Sequence, residues 1–109
     1  YLEYKQNNQM LTKKNIMDTI EKYKENIKLF GVKKLALFGS YVSGNATPSS
    51  DIDFLVEFET GRGLYNDYTC LLNFLKIHFN KNIDLVKPHL LRKEIKKSIL
   101  EGGKIEARL

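Results

Sequence analysis

From Thr12 to Phe30 the apolar residues Ile16, Ile20, Tyr23, Ile27 and Phe30 fall at spacings of four and three. That rhythm places them on one face of an amphipathic helix, and Gly31 supplies its stop. A short apolar run follows, Lys34 to Phe38, ended by Gly39, and reads as a buried strand. Asn45 to Ser50 is a turn-forming stretch of small residues around Pro48. In Asp51 to Phe58 the residues Ile52, Phe54 and Val56 alternate with Asp51, Asp53 and Leu55, the two-residue period of a strand. Leu64 to Phe79 returns to helical spacing through Leu64, Tyr68, Leu71, Leu72, Leu75 and Phe79. Ile83 to Val86 reads as a third strand before Pro88, and Leu90 to Leu100 as a basic helix closed by Gly102 and Gly103. The ending from Lys104 is a tail or a short edge strand. The pattern predicts an α/β (α+β) domain, a small mixed β-sheet flanked by helices.

Length changes little in that picture. The chain has 109 residues, 42% of them hydrophobic, enough for one modest core. Residues 1–9 are polar and aperiodic and read as an N-terminal arm; 10–109 read as one domain, with no room for a second, substrate-binding one. The longest apolar run is too short to span a membrane, and no signal-peptide pattern opens the sequence. Cys70 stands alone, which excludes an internal disulfide or a cysteine-based zinc site and suits a reducing cytoplasm. The net charge of +5 is unevenly spread: six acids and three basic groups in 37–86, seven basic groups and three acids in 87–109. Basic flanks around an acidic centre are ordinarily solvated helix faces; they also suit an anionic ligand or partner.

The candidate chemistry lies in that acidic centre. Asp51 and Asp53 share one face of their strand, where unpaired carboxylates repel. A cation between them relieves the repulsion, and oxygen-only ligands suit Mg²⁺ or Mn²⁺. Asp84 joins them if the third strand lies beside the second, and such a cluster supports in-line phosphoryl displacement. Upstream, Gly39 allows a sharp turn and Ser40 adds a hydroxyl, a pairing that can cradle phosphate. Gly39 and Gly44 have the glycine spacing of a P-loop, but Asn45-Ala46 stands where that motif requires Lys-Ser/Thr.

The stretch "GSYVSGNATPSSDID" resembles the G-S-x₁₀-D-x-D signature of the DNA polymerase beta-like nucleotidyltransferases, and its details resemble the minimal nucleotidyltransferase (MNT) branch. Gly44 after Gly-Ser, the small-residue loop ending at Ser50-Asp51, and "IDLV" after the next helix all agree with that branch, over roughly Ile16 to Gly103. The resemblance implies a nucleotidyltransferase-like fold, metal ligation by Asp51, Asp53 and Asp84, and help from Asp84 in activating the attacking hydroxyl. It implies that Gly39 and Ser40 hold the terminal phosphates of ATP and that AMP is transferred with release of pyrophosphate. In this branch the usual partner is a HEPN-family ribonuclease toxin encoded alongside, modified on a tyrosine, with the MNT protein as antitoxin. A homo- or hetero-oligomer fits such a pairing. The chain departs from many relatives in placing Tyr41, not a basic residue, directly after Gly-Ser.

Two other readings accompany this one: an antitoxin that neutralises by binding alone, and a nucleotidyltransferase acting on RNA or a small molecule. A DNA-binding repressor rests only on the basic flanks, so nucleic acid is not the expected partner. Arg62 in "GRG" reads first as an exposed turn residue, with nucleotide or partner contact as the alternative. His78 and His89 lack metal-ligand spacing. Cys70 reads as a small core residue, and Tyr23, Phe30, Tyr68 and Phe79 as core-facing aromatics.

Overall fold

The computed structural model describes residues 11–109. The polar arm expected at 1–9 lies outside the described residues. Helix α1 (Lys13–Lys22) opens with a capping box: the Thr12 hydroxyl accepts from the Asn15 amide at 3.1 Å, and the Thr12 amide donates back to Asn15 Oδ1 at 3.3 Å. The single helix expected from Thr12 to Phe30 is interrupted at Tyr23, and α2 (Lys24–Leu29) continues from there. At the break the Tyr23 ring lies against Phe74 and His78, with centroids 5.8 and 4.3 Å away. Ile16, Ile20 and Ile27 are buried as their spacing predicts.

Strand β1 (Val32–Phe38) begins two residues before its expected start. Its pairing with β2 (Ile52–Phe58) is antiparallel and slips by one residue between Val32 and Lys34. At this bulge two adjacent residues, Lys33 and Lys34, are both exposed, so the alternation that marks a strand is lost there. A four-residue helix, α3 (Ser40–Ser43), follows β1. Helix α4 (Tyr65–Phe79) crosses over from β2 to β3 (Ile83–Val86), which pairs parallel to β2. Pro88–Leu90 forms a 3₁₀ turn, so the last helix, α5 (Lys93–Gly102), starts later than its apolar pattern suggested. The tail is an edge strand, β4 (Ile105–Glu106), antiparallel to β1. The mixed sheet has the order β3-β2-β1-β4.

The register sorts the two faces. Leu35, Leu37, Ile52, Phe54, Val56, Ile83 and Leu85 share one face and form a single buried cluster with Ile16, Ile20, Ile27, Leu71, Leu75 and Phe79 of the helices. The opposite face carries Phe38, Asp53 and Asp84 in neighbouring strands. The apolar core and the carboxylates are thus separated by the thickness of the sheet. Cys70 departs from expectation: it is exposed, because Leu71, Leu75 and Phe79 define the inward stripe of α4 and Cys70 falls outside it. Among the described residues no helix is long and apolar enough to cross a membrane.

Candidate functional site

Parallel pairing places Asp53 directly opposite Asp84, at the start of both strands. Asp51 lies one residue ahead of β2, outside the strand in which the alternation had placed it. Asp53 is half-buried, whereas Asp51 and Asp84 are exposed. Burial, then the charges of Asp84 and Asp51, then a hydrogen bond shared with Asp84, push the Asp53 carboxyl up from 3.8 to about 6. Asp53 and Asp84 therefore form a close, mutually repelling pair, with Asp51 within electrostatic reach.

Gly39 ties this pair to the Gly-Ser turn. Its φ of 80° lies in the region that favours glycine, and a Cβ there would run into Asp53 Oδ2. The backbone can come this close to the carboxylate only without a side chain. Ser40 then opens α3, whose first amides have no acceptor within the helix. Gly44 closes α3 in a left-handed conformation, φ 87°, with its amide donating to the Ser40 carbonyl at 3.1 Å. Gly39, Ser40, Asp53 and Asp84 thus come together across three adjacent segments: the end of β1, β2 and β3.

Among the described residues no three Asp, Glu, His or Cys side chains converge into a ready-made metal cage. The arrangement is an open carboxylate pair with a third acid nearby. That fits Mg²⁺, which binds through one or two carboxylates and completes its shell with water and substrate phosphates. Beyond burial, the charges of Asp84 and Asp51 raise Asp53, and that repulsion is what a divalent ion would relieve.

Tyr41 points away from this chemistry. It is buried in the apolar cluster, and among the described residues its hydroxyl has no hydrogen-bond partner. Arg62 is engaged elsewhere. Its Nε and Nη2 each meet an Asp67 carboxylate oxygen at 2.8 Å, and Nη2 also donates to the Leu29 carbonyl at 3.0 Å. The Arg62 guanidinium and the Gly63 amide hold the Asp67 carboxyl down at about 2. Arg62 is thus a clip joining the end of α2 to the start of α4. Sequence spacing hides it, because five residues is not a helical repeat. Lys87 was also missed: it donates to the Gly63 carbonyl at 2.6 Å and lies 5.5 Å from the Tyr68 ring centroid, beside the Asp84 strand. His78 and His89 are both exposed, and His78 stacks on Phe74 with centroids 4.2 Å apart.

Residues 16–105 match the family model described as the nucleotidyltransferase domain. The chain belongs to the nucleotidyltransferase domain family. This nucleotidyltransferase is 35% identical over 92 residues to the protein adenylyltransferase MntA of Thermococcus cleftensis, covering 84% of this chain and 92% of that one. It is 37% identical over 95 residues to a candidate protein adenylyltransferase of Methanocaldococcus jannaschii, covering 84% and 95%. Its fold resembles that of a chain in the structure described as tri-AMPylated Shewanella oneidensis HEPN toxin in complex with MNT antitoxin, with a TM-score of 0.54, 18% identity and coverage of 83% of this chain and 70% of that chain. It also resembles a toxin-antitoxin structure with AMP-PNP, with a TM-score of 0.57, 21% identity and coverage of 79% and 70%. The nucleotidyltransferase-like fold expected from the sequence is the one observed.

Proposed function

We infer that this nucleotidyltransferase transfers AMP from ATP to a tyrosine hydroxyl of a HEPN-type toxin and thereby acts as its antitoxin. The observation that carries this reading is the contact of Gly39 with Asp53 beside Asp84. It brings the Gly39 turn, read here as a phosphate cradle, beside a carboxylate pair that suits a divalent ion, and so supports the reading. The kinship to a protein adenylyltransferase, over 84% of this chain and 92% of that one, supports a protein as the acceptor.

In this reading Asp51, Asp53 and Asp84 hold Mg²⁺ or Mn²⁺. An ion held there would supply charge neutralisation for the triphosphate and the departing pyrophosphate. The backbone at Gly39 and the hydroxyl of Ser40 hold the terminal phosphates. Asp84 takes the proton of the attacking hydroxyl. The hydroxyl oxygen bonds to the α-phosphorus, the bond to the β-phosphate bridging oxygen breaks, and pyrophosphate leaves with that electron pair.

The test is an intact-mass measurement on the product of the neighbouring gene, incubated with this chain, Mg²⁺ and ATP. The partner should gain AMP increments, and Asp53→Ala should abolish them. A stable complex with no mass gain would establish neutralisation by binding alone. Tyr41 favours that second reading, since its buried ring brings no charge to the phosphates.

A further inference from the structure

A cavity of about 640 Å³ opens beside Asp84, between the start of α4 and the start of α5. Its walls include Tyr65, Tyr68, Leu85 and Ile95, with Leu90 and Arg92 also lining it. Leu64, Tyr65 and Leu90 are 75%, 80% and 64% exposed, so among the described residues three large apolar side chains face solvent here. We propose that this cavity is the acceptor pocket, seating the tyrosine ring of an acidic segment of the partner protein with its hydroxyl at Asp84.

The proposal rests on the adenylyl-transfer reading above and deepens it. The sheet fixes a direction: Gly39 and Ser40 follow β1, Asp53 is on β2 and Asp84 on β3. With the terminal phosphates at the β1 end, pyrophosphate departs on that side. An in-line displacement needs its nucleophile opposite the leaving group, on the β3 side, where the cavity adjoins Asp84. The nucleoside branches from the α-phosphorus off that axis and does not compete for the position.

Size and chemistry agree with a tyrosine. The volume falls within the roughly 300–1,000 Å³ of small-ligand sites, enough for one ring and its flanking backbone. Tyr65 and Tyr68 offer aromatic contact, and Leu90 and Ile95 aliphatic contact. Lys87 is committed to the Gly63 carbonyl, so Arg92 is the rim cation placed to meet carboxylates beside the acceptor tyrosine.

The test is an amide-resolved NMR titration of the full chain with three separate probes: an acetylated, amidated Glu-Tyr-Glu peptide, its Glu-Phe-Glu counterpart, and Mg²⁺ with AMP-PNP. The tyrosine peptide should shift Tyr65, Leu90 and Arg92 and bind more tightly than the phenylalanine peptide. AMP-PNP should shift Gly39, Ser40 and Asp53. Leu90→Asp and Tyr65→Ala, both at exposed positions, should each weaken the tyrosine peptide about tenfold and leave AMP-PNP affinity within about twofold. Shifts of the pocket by AMP-PNP but not by peptide would overturn the proposal in favour of a nucleoside site. Equal binding of the two peptides, or none, would overturn it as well. Failure of the adenylyl-transfer reading would appear elsewhere, as an unmodified partner in the mass measurement with the wild-type chain.

Discussion

Replacing Asp53 with asparagine should stabilise the metal-free protein at neutral pH while abolishing its chemistry. Asp53 is raised from 3.8 to about 6, first by burial and then by the charges of Asp84 and Asp51. A carboxyl raised on folding binds its proton more tightly in the folded chain. It therefore favours the folded state fully below 3.8, and that advantage is lost as pH climbs through about 6. Each pH unit between the two values is worth about 1.4 kcal/mol, which sets an upper bound of ~3 kcal/mol. The side chain is only partly buried, and screening by water reduces this to ~1–2 kcal/mol. Asparagine has nearly the same shape and no charge, so Asp53→Asn should be more stable than the parent by ~1–2 kcal/mol at pH 7.5 in EDTA and nearly equal to it at pH 4. A gain of about 1 kcal/mol corresponds to ~4–8 °C in Tm for a domain of this size. Urea melts at the two pH values give the comparison directly. Adding Mg²⁺ and AMP-PNP should stabilise the parent and leave the variant unmoved. A variant less stable than the parent at pH 7.5, or a difference independent of pH, would refute the reasoning.

Other substitutions probe the neighbouring parts. Gly39→Ala should cost ~2–4 kcal/mol, because it combines positive-φ strain with a clash against the Asp53 carboxylate, and should abolish AMP transfer; denaturant melts and the mass assay read the two effects. Tyr41→Phe should be neutral or stabilising by up to ~1 kcal/mol, since the hydroxyl removed is buried without a partner, and a thermal melt decides it. Arg62→Ala should lower Tm by a few degrees near neutrality. Because Asp67 is held down at about 2, the stability due to the pair is present above 3.8 and lost as pH falls toward 2, so parent and variant should converge in acid melts.

The three main strands and the site motifs were legible because strand alternation and glycine placement are local signals. Ile52, Phe54 and Val56 announce β2, and Gly39 announces the turn that ends β1. What stayed hidden depends on distant contacts. The Val32–Lys34 bulge breaks the alternation at the start of β1, since its cause is the register with Phe58 and Glu57 on another strand. The break at Tyr23 sits where its ring meets Phe74 and His78, fifty residues and more along the chain. Cys70 was misplaced because Leu71 and Leu72 follow it in sequence, whereas it lies off the helix face that Leu71, Leu75 and Phe79 bury. The nearness of Asp84 to Asp53 was conditional on strand order, and the parallel pairing supplies it. The need for glycine at position 39 could be anticipated as a turn, but its contact with Asp53, fourteen residues later, could not.

The separation of the helical core from the carboxylate face has an evolutionary consequence. Most of the buried cluster lies on one surface of the sheet and the paired carboxylates Asp53 and Asp84 on the other. Changes at exposed positions near Asp84, such as Tyr65 and Leu90, therefore carry little risk to the buried cluster. Asp53 is the exception, since its carboxylate lies where chemistry and folding make opposing demands. Among descendants released from catalysis, drift should reach that position early, because losing its charge makes the chain easier to fold.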